Sequence, residues 1–160
     1  MFKPYIKDIE NFPREGVTFK DLTPLFSTPV IFNMAINQML ERCPVEGFDY
    51  VIGIESRGFI FGSSMAYRSS KGFIPIRKSG KLPPPTIQMN YSLEYGDDSL
   101  EINPGSGRIV LVDDVLATGG TLEAATRLCE LAGYTVLARI VLVNLKSLNS
   151  LSDVRSVVTY

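Results

Sequence analysis

Three short apolar runs, Tyr50 to Ile54, Phe73 to Ile76 and Ile109 to Val112, stand without polar alternation, each closed by a turn or by a loop of polar side chains. Val/Ile-rich runs of this length predict strands buried on both faces, the habit of a parallel sheet. Two further strands are predicted over Val136 to Leu145 and Val154 to Tyr160. Helical spacing covers Gly58 to Ser69 and Thr121 to Ala132, the second closed by Gly133 as a C′ residue. Strands alternating with helices predict an α/β fold with a mainly parallel twisted sheet flanked by helices.

Ahead of this core, Pro4, Pro13, Pro24 and Pro29 break any long helix in residues 1–30 and leave Tyr5 to Asn11 as the one stretch with helical capacity. The segment reads as a cap on the domain. A helix is then predicted from Thr28 as N-cap and Pro29 at the first position, with Ile31, Met34, Ala35 and Met39 on one face, until Pro44 closes it. Between Gly80 and Pro104 the period changes. Ile87, Met89, Tyr91, Leu93 and Tyr95 alternate with Gln88, Asn90, Ser92 and Glu94; Gly96-Asp97-Asp98 is the expected turn, and Leu100 and Ile102 resume the alternation. This predicts a β-hairpin with one polar face, and a ribbon of that length on an α/β sheet reads as a movable flap over 80–104. With no repeat and no linker, residues 1–160 read as a single domain.

Composition narrows the chemistry more than the fold. Histidine is absent, which removes imidazole acid–base catalysis, His-dependent triads and every His-containing metal site. Sixteen basic against seventeen acidic residues give a net charge of -1, so a nucleic-acid backbone is a poor partner. Cys43 and Cys129 sit in apolar helical contexts and read as reduced, buried thiols, as expected of a cytoplasmic protein. No apolar stretch approaches the roughly 20 residues of a membrane span, and no apolar h-region follows the N-terminal Met-Phe-Lys-Pro-Tyr.

The sharpest local signal is Ile109-Val-Leu-Val-Asp-Asp-Val-Leu-Ala-Thr-Gly-Gly-Thr121: a buried strand, two acids, a Gly/Thr loop and a helix start. Ligands of open α/β sheets gather outside the carboxyl ends of the strands. Backbone N–H groups from Ala117 to Thr121 at a helix start form a donor array for a terminal phosphate; Gly119 and Gly120 allow close approach, and Thr118 and Thr121 add hydroxyls. Asp113 and Asp114 offer acceptors to the two hydroxyls of a ribose, or indirectly to a metal. Together they describe a site for a 5-phosphoribosyl group. Gly53-Ile-Glu-Ser-Arg-Gly58 has the glycine spacing of a Walker A loop, but Phe59 and Ile60 stand where that loop needs Lys and Ser/Thr.

These residues resemble the type I phosphoribosyltransferases, and within them the adenine-specific branch. Val112 to Thr121 is similar to the family's phosphoribosyl pyrophosphate (PRPP) motif, Asn11 to Pro24 to the N-terminal signature of the adenine branch, Gly53 to Gly62 to its pyrophosphate loop, and Ile76 to Pro83 with Tyr91 to Gly96 to its flap. The match runs in register from about residue 5 to residue 145. It implies transfer of a phosphoribosyl group from PRPP to adenine, with Mg2+ carried by PRPP rather than held directly by the chain. It also implies a homodimer, a base-binding hood over 1–30, and a strained or cis peptide near Glu55-Ser56. By resemblance Glu94 is the acid–base residue with Tyr95 beside it; Glu55, Ser56, Arg57, Arg77 and Lys81 serve the pyrophosphate; Phe12, Thr18, Phe19 and Lys20 serve the base. The chain departs from the pattern at Pro84-Pro85, at Thr18, at Asn144 in place of a usual Glu, and from Lys146 onward. The rival readings are transfer to a 6-oxopurine and a non-catalytic sensor of PRPP.

Overall fold

Alternate residues of the apolar runs face opposite sides of one sheet, which is why the runs show no polar positions. The computed structural model describes residues 1–93 and 96–160. Five parallel strands form the centre: β3 (Tyr50–Ile54), β4 (Gly72–Lys78), β7 (Gly107–Leu116), β8 (Tyr134–Asn144) and β9 (Val154–Thr159). Val51, Val110, Val112, Ile140 and Leu142 pack toward one core cluster, which includes residues of α2 (Pro29–Leu40) and α3 (Arg57–Ser69). Ile52, Ile109, Leu111 and Val141 pack toward the other, with α4 (Gly120–Leu131). Each fully buried aliphatic side chain of this kind contributes about 1.5–3 kcal/mol.

The hairpin predicted over residues 80–104 is β5 (Ile87–Leu93) with β6 (Gly96–Ile102), and it extends the sheet antiparallel through Arg77↔Glu101 and Lys78↔Leu100. The full order is β5-β6-β4-β3-β7-β8-β9. The expected turn at Gly96-Asp97-Asp98 is corrected: Gly96 pairs with Leu93, and Asp97 and Asp98 already belong to β6. Their carboxylates are held within the sheet, Asp97 by the Ser92 hydroxyl at 2.8 Å and Asp98 by Lys78 and by the Tyr91 hydroxyl at 3.3 Å.

The N-terminal segment differs from its helical expectation. Tyr5 to Asn11 does not form an α-helix; a short 3-10 turn over Lys3–Tyr5 leads into β1 (Lys7–Glu10), paired antiparallel with β2 (Thr18–Asp21). All four β1 residues are exposed, so no apolar face exists to dock a helix, and cross-strand pairing supplies what burial cannot. A short helix α1 (Thr23–Phe26) follows. Thr28 stands ahead of α2 as expected, but its hydroxyl donates to the Pro24 carbonyl at 2.8 Å instead of capping the helix.

Strand order reverses direction between β3 and β7: α3 leaves β3 on one face and α4 leaves β7 on the other. Ligands of open α/β sheets bind at such a switch point. No helix is long and apolar enough to cross a membrane among the described residues. Cys129 is buried and Cys43 half-buried; both are free thiols, and burial pushes them up to about 12 and about 11.

Candidate active site

β7 continues through the two acids as far as Leu116, so Asp113 and Asp114 sit on a hydrogen-bonded strand rather than on a loop. The Asp113 Oδ1 accepts the Asp114 N–H at 2.9 Å. It can lie there because Gly58 opens α3 beside it: a Cβ on Gly58 would stand 2.9 Å from that oxygen and 3.1 Å from the Val112 carbonyl. Burial, and then the charge of Asp114, push the Asp113 carboxyl well above the usual carboxylate range. Asp114 is buried, with Oδ2 2.5 Å from Arg57 Nε. Apart from this ion pair, Oδ2 accepts no hydrogen bond among the described residues and keeps acceptor capacity inside the site.

Beyond Leu116 the chain crosses Ala117 and Thr118 to Gly119, whose φ of +98° suits glycine, and enters α4 at Gly120. The first N–H groups of α4 have no intrahelical partner and carry the positive end of its dipole. A small cavity of about 100 Å³ borders Asp113, Thr118, Gly119 and Thr121, the right scale for one phosphate. A Cβ at Gly120 would meet Leu93 Cδ2 at 3.5 Å, so the end of β5 reaches this loop. Glu94 and Tyr95, the expected acid–base pair, lie outside the described residues.

The pyrophosphate candidates fall into two groups. Glu55 follows β3, and its peptide with Ser56 is cis, as the resemblance implied. Its carboxylate accepts Arg77 Nε and Lys81 Nζ, each at 2.7 Å. Burial alone would raise the Glu55 carboxyl, but these bonds from Lys81 and Arg77 outweigh it and hold the group below its ordinary value. Ser56 is exposed ahead of α3. Arg57 turns elsewhere: besides Asp114, its Nη1 donates to the Lys20 carbonyl at 2.9 Å and its guanidinium covers the Phe19 ring at 4.5 Å. It thus ties β2 to the end of β7.

Phe12 and Phe19 meet edge to face at 5.2 Å, with Phe12 49% exposed, so this pair is a surface wall and not core. Thr18 is exposed, whereas Lys20 is buried between Asp8, at 2.6 Å from its Nζ, and the face of Tyr160, at 3.9 Å. A cleft of about 510 Å³ is lined by Thr18 and Lys20 together with Ala117, Thr118, Leu148 and Tyr160. Another cavity, about 520 Å³, opens between α4 and the β8–β9 edge, away from every residue above, so size alone does not locate the site.

Three residues here were not anticipated. Glu101 is buried and accepts the N–H groups of Lys81 and Leu82 at 2.7 and 2.6 Å, fixing the loop that carries Lys81. Asn149 binds the Ala117 carbonyl at 2.9 Å, and Tyr160 stacks on Lys20. Glu101 stands on an alternating strand next to apolar Leu100 and Ile102, which was its available signal; Asn149 and Tyr160 lie in the stretch with no motif.

A family model, the phosphoribosyl transferase domain, matches residues 32–156. The adenine phosphoribosyltransferase of Bdellovibrio bacteriovorus is 49% identical over 150 residues, covering 94% of this chain and 91% of that one. Among solved structures, the adenine phosphoribosyltransferase of Thermoanaerobacter pseudethanolicus superposes with a TM-score of 0.92 at 40% identity, over 99% of this chain and 98% of that one. The Giardia lamblia enzyme, solved with 9-deazaadenine, gives 0.91 at 34% identity, over 99% and 95%. With the acid pair, the Gly119-Gly120 helix start and the β1–β2 hood gathered at one switch point, this chain belongs to the adenine phosphoribosyltransferases of the phosphoribosyl transferase domain family.

Proposed function

We infer that this protein transfers the 5-phosphoribosyl group of PRPP to adenine, giving AMP and pyrophosphate. The observation that carries the reading is the buried Asp114 Oδ2, ion-paired to Arg57 but accepting no hydrogen bond among the described residues, beside a glycine-opened helix N-terminus at the switch point. A ribose hydroxyl donates to that oxygen; the 5-phosphate sits on the N–H groups of Ala117 to Thr121. Arg77 and Lys81, held by Glu55, form a positive edge for the pyrophosphate, which competes with Glu55 for them. Arg57 joins that edge by leaving Asp114.

Adenine lies against the Phe12–Phe19 wall, read by the backbone around Thr18 and Lys20. Glu94, with Tyr95 beside it in the chain, takes the purine proton as the nitrogen attacks ribose C1 and the bond from C1 to the pyrophosphate oxygen breaks. The β5–β6 hairpin acts as a flap that excludes water during this step. Mg2+ belongs to the reading as the ion that neutralises pyrophosphate when bound. On this reading the ion arrives with PRPP, and Asp113 with Asp114 is left to the ribose hydroxyls. The protein works in the cytoplasm as a homodimer on this reading, in line with its family.

Incubation with PRPP, Mg2+ and adenine should yield AMP and pyrophosphate one for one. No AMP under these conditions would overturn the assignment.

A further inference from the structure

We propose that Asn149 is a positioning residue for the phosphate-binding loop: by holding the Ala117 carbonyl it aims the Thr118 N–H at the bound phosphate. The proposal rests on reading Ala117 to Thr121 as the phosphate cradle.

The connector 145–153 between β8 and β9 carries a short 3-10 turn over Lys146–Leu148 and then Asn149. Asn149 Nδ2 donates to the Ala117 carbonyl at 2.9 Å and lies 3.0 Å from both Asn144 Oδ1 and the Leu145 carbonyl. An amide has two hydrogens, so one is shared among these three acceptors. Two of the three belong to the end of β8 or the residue after it, and Asn144 is only 5% exposed, so the amide is braced on the sheet itself. At its other end Asn149 Oδ1 accepts the Leu151 N–H at 3.2 Å. Leu151 Cδ1 in turn occupies the space beside Gly119, where a Cβ would come within 2.8 Å of it. The connector therefore backs the loop at two points, Ala117 and Gly119.

The peptide between Ala117 and Thr118 is trans, so its C=O and N–H point in opposite directions. Pinning the carbonyl to the connector sends the Thr118 N–H the other way. The cavity of about 100 Å³ is bordered by Asp113, Ala117, Thr118 and Thr121 and, among the described residues, by none of the connector, which is the arrangement that direction requires. A loop with two consecutive glycines loses about 1–2 kcal/mol of conformational freedom per residue fixed. Bracing it in advance removes part of that cost from ligand binding. Recognition of the phosphoribosyl group thus draws on a residue outside the Val112 to Thr121 motif, in the connector ahead of β9.

The test uses the full chain, ribose 5-phosphate as probe, and the two Michaelis constants. Asn149→Ala should weaken ribose 5-phosphate binding about 3–10-fold, the scale of one net hydrogen bond, and raise the KM for PRPP in parallel while leaving the KM for adenine within about twofold. Asn149→Asp keeps the shape but sets a carboxylate against three oxygens, so its loss should exceed that of Ala. Folded variants that bind ribose 5-phosphate like the wild type would overturn the proposal alone, and so would equal rises in both KM values. A wild type that binds no ribose 5-phosphate would overturn the loop reading and the proposal with it. Should the variants fail to fold, the wild-type Thr118 amide resonance decides: it must shift on titration with inorganic phosphate, and an unmoved resonance overturns the proposal.

Discussion

Glu101 is the buried carboxylate from which the loop carrying Lys81 hangs, and its hydrogen bonds to the N–H groups of that loop hold its carboxyl below the ordinary range. Because the folded value is lowered, its contribution to stability is complete above the unfolded value of about 4.3 and is lost as pH falls through the folded one. Thermal melts from pH 6 to pH 3 should show Glu101→Gln less stable than the wild type at pH 6, with the gap closing on acidification. A constant gap would mean that packing, not ionisation, holds the loop. Gly119 and Gly120 make a second residue-level contrast. Gly119→Ala forces φ +98° on a side chain that meets Leu151, and should cost about 1–2 kcal/mol, a few degrees in Tm. Gly120→Ala meets only Leu93 at an ordinary 3.5 Å and should melt within about 0.5 kcal/mol of the wild type. Equal losses would contradict the loop geometry. At Glu94, Gln keeps size and polarity but cannot exchange the proton, so kcat should fall roughly 10²–10⁴-fold with PRPP affinity little changed. Near-normal turnover would remove Glu94 from the chemistry.

The β1–β2 ribbon of the hood has little apolar anchorage between buried Ile6 and Leu22 at its ends: β1 is exposed throughout, and β2 is held through Lys20 by Asp8, Tyr160 and the Arg57 contact to its carbonyl. The Tyr160 ring also carries Lys3, at 4.5 Å. Tyr160→Leu should therefore lower stability by about 0.5–2 kcal/mol and Tyr160→Phe by much less, since the ring face is what the ammonium groups use. Equal effects would assign the contact to the hydroxyl. The same element marks where sequence reading stops. β3, β7 and β8 were legible because burial on both faces leaves continuous apolar runs, and the Asp113 to Thr121 loop because strand, acids, glycines and helix start coincide. Residues 7–10 have no face to bury, so periodicity carried no signal and pairing with β2 decided their state. Gly96-Asp97-Asp98 has the composition of a turn, but Lys78 and Tyr91 from neighbouring strands hold Asp98 in β6. Asn149 and Tyr160 acquire their contacts only when the connector and β9 fold back against distant residues.

At the scale of the molecule, two halves meet at the β3/β7 reversal, and Arg57 spans them: it starts α3, pairs with Asp114 on β7 and holds the hood at Lys20. One side chain thus links Asp114, Phe19 and Lys20, and under the proposed function PRPP, by drawing Arg57 from Asp114, also acts on the hood that receives the base. In the proposed function the hood reads the base through backbone groups around Thr18 and Lys20, and a pocket built to pair with an exocyclic amine leaves buried groups unpaired against a carbonyl. The measurement that tests this account most directly is a competition among adenine, hypoxanthine and guanine for PRPP in the presence of Mg2+. Adenine should be converted with kcat/KM more than about tenfold above either 6-oxopurine. Equal rates with all three bases would contradict the account.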